Sequence, residues 1–425
     1  MKFTSLSAHG VKSVDEMIDN YKQFTHEVFE HLVIPMSLSM TNTFNRKKSA
    51  WQLRHQKNRN IGSIDVSKLY AYRTSDDIFK KKSWLPNGKN HGVVVLIDMS
   101  SSMFASLPMC LINALALVEF CKRNKIECEV LTFTKGGQTA TSKGVSHLKN
   151  AIGINEGLES FKLFDHTMST KTLKNIMFSV LLELIASNEC KNIFGGHSNR
   201  DKIFAYLKRK QTMFMGNTPL ASALWLGIER CMALQERCQQ VTMVTISDGA
   251  GNTSFLSSGL IFTCPYNKRT YTISDLENRL MKKFVYRSFD RKIDNGELKQ
   301  PLLMNKIASD LGINSIQINL TSLFLSLTYP LTETNKDNLT TESSIFRKKG
   351  HVTIENCLGF KKTVFINQRI FNELSDNKNT KTEKSLDGLT DKELKQFFAE
   401  RGGNQTILKE TSNAVITELC EGFRG

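Results

Sequence analysis

The chain has 425 residues, of which 40% are hydrophobic, enough for one large domain or two ordinary ones with a buried core. The formal net charge of +16 favours acidic or polyanionic partners, and no apolar run approaches the roughly 20 residues of a membrane span. The N-terminus lacks the apolar core of a signal peptide, and the nine cysteines form no CxxC pair. We therefore expect reduced thiols and a cytoplasmic protein.

The first 90 residues predict a helical N-terminal extension. Apolar side chains recur at helical spacing over 14–34, and Pro35 is expected to end that helix. A second predicted helix, 42–55, carries basic residues around one tryptophan. It is interpreted either as a nucleic-acid site, with phosphate contacts and a base stacked on the indole, or as a helix with a solvated basic face and a core tryptophan. The candidate nucleic-acid residues are Arg46, Lys47, Lys48, Trp51 and Arg54.

The central part of the chain predicts a βαβ unit. Residues 93–97 are continuously apolar, which is typical of a parallel strand covered on both faces. Two adjacent apolar rows predict a helix over 107–121, with Pro108 in its first turn, and 126–133 is the next strand. This order implies a parallel strand pair joined by a right-handed crossover.

Similar patterns continue to the C-terminus. Helices are predicted at 171–187, 218–234, 301–311, 391–401 and 406–420, and strands at 241–246, 313–320 and 352–370. Thr218 is expected to cap its helix, with Pro219 at the first helical position.

The predicted fold class is α/β: a doubly wound, mostly parallel, Rossmann-like sheet with a helical N-terminal extension and insertions. We divide the chain into an N-terminal extension over 1–90, a central domain over 91–325 and a C-terminal extension over 326–425. The C-terminal extension contains strands and helices. Irregular insertions are expected within the central domain, at about 135–170 and 261–300.

Polar side chains follow the strongest predicted strands. Asp98, Ser100 and Ser102 come directly after the first one, Asp248 follows the strand at 241–246, and Thr218 precedes a helix. Taken singly, such residues are typical of turns and helix caps. Together, at the carboxyl ends of parallel strands, they supply the oxygen ligands that Mg²⁺ prefers. The sequence therefore predicts a magnesium site, with Mn²⁺ as an alternative ion.

This Asp-x-Ser-x-Ser motif, with its downstream Thr and Asp, resembles the metal-ion-dependent adhesion site (MIDAS) of the von Willebrand factor A (VWA) family. The resemblance implies that Ser100, Ser102 and Thr218 bind the ion directly or nearly so, and that Asp98 and Asp248 bind it directly or through water. Mostly hydroxyl ligands leave the charge of the ion poorly neutralised. A carboxylate from a partner protein is then expected to complete the coordination.

A closer resemblance lies outside the metal motif. Gly62-Ser-Ile-Asp65 and Asp76-Asp-Ile-Phe79, upstream of the metal strand, look like elements of the VWA subunit of cobaltochelatase and its relatives in large tailed phages. The resemblance implies an adaptor that works with an AAA+ ATPase of the MoxR type to remodel or load a target. If the chain is viral, we expect it in the host cytoplasm.

The enzymatic interpretation has little support in the motifs. The chain has no GxxxxGK[ST] loop for ATP hydrolysis and no HExxH or nucleophile–base spacing. We expect no catalytic activity of its own, or a non-ATPase subunit of a chelatase-like complex. The alternative function is that of a basic nucleic-acid-binding VWA protein, for which the charge is the main argument.

Overall fold

A computed structural model describes residues 14–54, 57–59, 64–74, 78, 82–84, 90–103, 106–135, 158–188, 203, 205–208, 218–248, 261–272, 299–321, 351–357, 359–367 and 416. The strands are β1 (Lys57–Arg59), β2 (Lys82–Trp84), β3 (His91–Asp98), β4 (Glu127–Lys135), β5 (Leu158–Asp165), β6 (Gln240–Ser247), β7 (Ile261–Thr263), β8 (Thr270–Thr272), β9 (Asn314–Thr321), β10 (His351–Cys357) and β11 (Phe360–Asn367).

The central element is a seven-stranded sheet of order β10-β11-β9-β6-β3-β4-β5. The five inner strands, β11 to β4 in this order, are parallel, and the edge strands β5 and β10 are antiparallel to their neighbours. Two small antiparallel pairs, β1-β2 and β7-β8, stand apart from it. The structure therefore confirms an α/β fold with a mixed, mostly parallel sheet.

Helices cover both faces of this sheet. They are α1 (Val14–Val28), α2 (Ile34–Arg54), α3 (Leu107–Arg123), α4 (Thr170–Asn188), α5 (Leu220–Gln235) and α6 (Lys299–Asp310). Residues of α1 to α4 pack with Val93, Val95 and Ile97 of β3 in one buried cluster. Residues of α5 and α6 pack with Val94 and Leu96 in a second cluster on the opposite face.

The predicted βαβ unit is confirmed. All eight residues of β3 are buried, as expected for a strand covered on both faces. Pro108 lies in the first turn of α3, where its missing N–H costs no helical hydrogen bond. β4 then pairs parallel with β3 from Gly92↔Glu127 onward.

The prediction that Pro35 ends the first helix is wrong. A five-residue π-helical turn, Phe29–Val33, joins α1 to α2, and Pro35 is the second residue of α2. The N–H of Ile34 bonds to the carbonyl of Phe29, five residues back. This wider turn lets the proline follow without breaking the helical path, because a proline is tolerated in a first turn.

The region predicted as an irregular insertion at 135–170 contains an edge strand of the main sheet. β5 pairs antiparallel with β4 through a bulge at Val130/Leu131. Only two of its eight residues, Leu163 and Phe164, are fully buried, so the strand lacks the apolar pattern on which a prediction depends. In the other predicted insertion, 261–300, the described residues form β7-β8 and the start of α6.

The boundary predicted near residue 325 does not separate two sheets. β11 pairs parallel with β9, in register from Lys362↔Ile316 to Asn367↔Thr321. The segment 352–370, with its strand-like content, forms two strands, which pair as the antiparallel hairpin of β10 and β11. The helices predicted at 391–401 and 406–420 lie outside the described residues, apart from Ile416, which is helical and buried. No helix in the described ranges is both long and apolar enough to cross a bilayer.

Candidate metal centre

The site begins where two neighbouring parallel strands end. Asp98 is the last residue of β3, and Asp248 follows the last residue of β6. Because Ile97 of β3 is in register with Ile246 of β6, both carboxylates emerge at the same edge of the sheet. This is the edge at which ligand sites form in open α/β sheets.

The loop after β3 folds around the Asp98 carboxylate. The backbone N–H of Ser100 donates to Asp98 Oδ1 at 2.8 Å, and the hydroxyls of Ser100 and Ser102 share a hydrogen bond of 3.1 Å. The chain then makes a short 3₁₀ turn, in which Met103 N donates to the Ser100 carbonyl. Asp98 and Ser100 are buried whereas Ser102 is exposed, so the site opens to solvent on the Ser102 side.

Thr218 reaches the same carboxylate from the start of α5. The prediction that Thr218 caps this helix is wrong, because the N-cap residue is Pro219 and no side chain caps the first turn. Instead, the buried Thr218 hydroxyl interacts with Asp98. The helix α5 packs against β3 and β6, which holds Thr218 at the strand ends.

Burial dominates the electrostatics of the site. Burial raises the pKa of Asp98 to about 7, and the nearby Asp248 carboxylate adds to the rise. The Ser100 backbone N–H and the hydroxyls of Ser100 and Thr218 oppose it by favouring the charged form. These donors do not compensate for the removal of Asp98 from water.

Two carboxylate oxygens in this site lack a partner. Asp98 Oδ2 and Asp248 Oδ1 are buried, and neither has a hydrogen bond. Buried carboxylate oxygens are normally hydrogen-bonded, paired with a cation or coordinated to a metal. A divalent cation between these two strand ends would satisfy both atoms.

The donor set fits magnesium or manganese. All five predicted ligands are oxygen donors, and the two carboxylates supply formal negative charge. In the part of the chain that the structure describes, no three His, Cys, Asp or Glu side chains converge on a common metal position. An ion held here would depend mainly on hydroxyl oxygens, with Asp98 and Asp248 as the two side chains that could supply negative charge.

Sequence reasoning missed a buried polar row beside the site. Thr245 is paired in register with Gln317, and Ser247 with Asn319, on the adjacent strands β6 and β9. All four side chains are fully buried, and Gln317 Nε2 donates to Ser247 Oγ at 3.4 Å. The sequence of β9 contains the pattern that could have revealed this row. Polar residues alternate with apolar ones there, although the strand lies inside the sheet.

The predicted nucleic-acid tract lies on α2. Arg46 is exposed there, and Lys47 and Lys48 are half-buried. The Arg46 Nε group also donates weakly to the carbonyl of Asn42, at 3.4 Å. The side chains of Trp51 and Arg54 lie outside the described residues, so the structure does not bear on the proposed stacking.

No protein-family model and no curated protein matches the chain. Among solved structures, the pilus adhesin SpaC from Lactobacillus rhamnosus GG aligns with 69% of this chain and 30% of its own, at 15% identity and a TM-score of 0.32. The PilB minor pilin from Streptococcus sanguinis aligns with 69% of this chain and 62% of its own, at 13% identity and a TM-score of 0.32. The chain thus spans less than two thirds of either structure. Likenesses this weak carry no argument about function.

Proposed function

We propose that this chain is a VWA-type adaptor, which docks on a partner protein through a magnesium ion held by Asp98, Ser100, Ser102, Thr218 and Asp248. The proposed partner is an AAA+ ATPase of the MoxR type, as the sequence resemblance implies. In this role the chain presents the ion to an acidic side chain of the partner, and the ATPase supplies the energy for remodelling or loading the target.

One observation carries the proposal. Two buried carboxylate oxygens without partners, Asp98 Oδ2 and Asp248 Oδ1, lie at neighbouring strand ends beside three hydroxyl groups. A turn or a helix cap would leave the hydroxyls engaged with backbone groups and the carboxylates in solvent. A cation site accounts for both the burial and the missing partners.

The donor set favours docking over hydrolysis. When bound, the ion would supply an electrophilic coordination position for an oxygen ligand. The five site residues include no histidine, and both of their carboxylates are assigned to the ion, which leaves none of the five as a general base. The exposed side of the site, at Ser102, offers room for a carboxylate from a partner.

The test is a capture experiment from the native cell lysate with the full chain as bait. We expect an AAA+ ATPase to be recovered when magnesium is present. It should be lost when EDTA is added, and lost when the bait is the variant Asp98→Asn. Asp98→Asn keeps the shape of the side chain but removes its charge. It therefore tests the role of the charge more directly than a substitution that removes the whole carboxyl group. Recovery of the same ATPase with EDTA present would contradict metal-dependent docking.

The second candidate function is nucleic-acid binding, favoured by the net charge of +16 and by the exposed Arg46 on α2. It predicts a different response in the same experiment. Nucleic acid held by phosphate contacts would be recovered with or without EDTA and released by added salt, because counterion release makes such binding strongly salt-dependent.

A further inference from the structure

The buried polar row beside the candidate metal centre lies on the same face of the sheet as Asp98. Leu96 of β3 and Met243 of β6 both pack in the core cluster beneath α5 and α6. Since side chains two residues apart on a strand share a face, Asp98 points to this face, and so do Thr245 and Ser247. On both strands, apolar side chains therefore give way to polar ones toward the carboxyl end.

Ser247 is the member of the row that lies beside Asp98 in the sheet. β6 lies between β3 and β9, and Ile246 of β6 pairs with Ile97 of β3. One step further along both strands, this register sets Ser247 next to Asp98, and on its other side Ser247 pairs with Asn319 of β9. Neighbouring strands are about 4.8 Å apart, so the Ser247 hydroxyl lies close to the oxygen atoms that would surround an ion at Asp98.

Gln317 sets the direction of the Ser247 hydroxyl. Its Nε2 group, on β9, donates to Ser247 Oγ at 3.4 Å, a long hydrogen bond between two fully buried side chains. A serine hydroxyl accepts through its lone pairs but has only one proton to donate. Because Gln317 approaches as a donor from the β9 side, the Ser247 proton is directed to the β3 side, where Asp98 lies.

The acceptor on the β3 side is the Asp98 carboxylate. Its Oδ2 atom is buried and has no hydrogen bond within the described part of the chain. Since Ser247 does not reach this atom directly, a water molecule between them would complete the contact. Carboxylates that bind a metal are normally hydrogen-bonded in this way, and the loss of such a partner lowers metal affinity by roughly 10- to 100-fold.

A purely structural role explains the row less well. Gln317 Oε1 and Thr245 Oγ1 are also buried and lack a hydrogen bond among the described residues. An unpaired buried atom costs about 1–3 kcal/mol, which apolar side chains of the same size would avoid. Such departures from the rules of core packing are expected mainly at functional sites.

We propose that Ser247 is a further residue of the candidate cation site and that Gln317 is its positioning residue. Gln317 directs the Ser247 proton toward the Asp98 carboxylate and so fixes the orientation in which that carboxylate binds an ion. This inference rests on the proposed function, because it needs an ion at the site.

The test is a double-mutant cycle on Mg²⁺ affinity, measured on the full chain by isothermal titration calorimetry. The variants are Ser247→Ala, Gln317→Met, which keeps an unbranched side chain of similar length, and the double variant. The matched control is Thr242→Val, which removes another buried hydroxyl from β6, on the opposite face of the sheet. Urea denaturation in EDTA measures the stability of each variant without metal.

We expect Ser247→Ala to lower the Mg²⁺ affinity about tenfold, and Gln317→Met to lower it by a similar factor. The double variant should bind no more weakly than Ser247→Ala, because Gln317 acts through the hydroxyl that is already missing. Thr242→Val should bind Mg²⁺ like the natural chain, whatever its stability in EDTA. A merely structural role would change the stability of the variants and leave their Mg²⁺ affinities equal.

Undiminished affinity in Ser247→Ala would overturn the proposal while the cation site itself stands. Losses that add in the double variant would show that Gln317 does not act through Ser247. An equal loss in Thr242→Val would show that any buried hydroxyl of β6 has this effect, and would overturn the proposal as well. Absence of Mg²⁺ binding to the natural chain would contradict the proposed function first, so the two proposals fail distinguishably.

Discussion

Asp98 is the residue on which the site depends. Its carboxylate is buried at the end of the central strand, its pKa is raised to about 7 by burial, and one of its oxygens has no partner. A residue in this position destabilises the metal-free protein, since burial disfavours its charged form. Its presence is explained if a cation binds there and offsets the cost.

Substitutions at Thr218 test whether its hydroxyl binds the ion or only supports the fold. Because its hydroxyl acts on Asp98 and does not cap α5, the variant Thr218→Val keeps the side-chain shape but removes a ligand oxygen. We expect Thr218→Val to weaken Mg²⁺ binding about tenfold, or ~1.4 kcal/mol.

The matched variant is Thr218→Ser, which retains the hydroxyl and should bind the ion with nearly the affinity of the natural chain. Isothermal titration calorimetry with MgCl₂ measures both variants. Equal affinities for Val and Ser at this position would remove Thr218 from the ligand set.

The positions of Asp98 and Asp248 at strand ends were predictable from sequence, because each carboxylate follows a strongly apolar segment. Asp98 and Asp248 needed only the two strands to be recognised as parallel neighbours. The hydrogen bond from Gln317 to Ser247 was not predictable, since it joins residues 70 positions apart whose proximity depends on strand order. The missing partners of the carboxylates likewise appear only in three dimensions.

At the scale of elements, a glycine allows α5 to approach the sheet closely. A Cβ added to Gly227 would lie 2.5 Å from Met243 Sδ and 2.8 Å from Leu96 Cδ1, both in fully buried side chains. We expect Gly227→Ala to destabilise the protein by about 1–3 kcal/mol despite the better helix propensity of alanine. Urea denaturation measures this change in the free energy of unfolding.

A second substitution tests whether close approach is the cause. If Met243 is the obstacle, the double variant Gly227→Ala/Met243→Ala should be more stable than the sum of the two single changes predicts. Strict additivity would show that the glycine serves another purpose.

The junction of β5 and α4 carries a pH-dependent contribution to stability. Burial raises the pKa of Asp165, but Lys162, 2.8 Å away, and the hydroxyl and N–H of Thr167 outweigh it and hold the pKa at about 2. A carboxylate with a lowered pKa stabilises the folded state above its unfolded value, near 4. That contribution is lost as the pH falls from 4 through 2.

The variant Asp165→Asn isolates this effect from the other carboxylates. We expect the difference in unfolding free energy between the natural chain and Asp165→Asn to shrink as the pH falls from 5 to 2. A difference that stays constant over this range would contradict the assignment.

Buried elements were easier to predict from the sequence than exposed ones. Strands β3 and β6 and helices α3 and α5 are apolar along most of their length, so their patterns are unambiguous. The strand β5 buries only two of its eight residues and depends on pairing with β4, so its local sequence pattern does not identify it as a strand. The π-helical turn before Pro35 is also a tertiary effect, because Phe29 and Val33 are buried in the core beneath it.

At the scale of the whole molecule, both ends of the described chain contribute to the two cores. Residues of α1 pack in the same cluster as the inner strands, and the hairpin of β10 and β11 extends the sheet beyond β9. The candidate site lies between these two regions, at the ends of the central strands β3 and β6. Its geometry therefore depends on regions that sequence alone assigns to separate extensions.

A truncation tests this interdependence. A chain ending at residue 325 would lose Phe360 and Phe365 from the core beside α6 and leave β9 as an unpaired edge. Since removing one large buried aromatic side chain costs about 3–5 kcal/mol, we expect this chain to show no cooperative unfolding transition. Circular dichroism during urea denaturation measures it. A cooperative transition at the midpoint of the full chain would show that the C-terminal hairpin is dispensable.

The measurement that tests the central claim most directly is Mg²⁺ titration of the full chain and of Asp98→Asn by isothermal titration calorimetry, with Mn²⁺ as the spectroscopic substitute. The account predicts saturable binding of one ion per chain, lost in Asp98→Asn, while the circular dichroism spectrum stays unchanged. Absence of saturable binding to the natural chain, or equal binding to the variant, would contradict it.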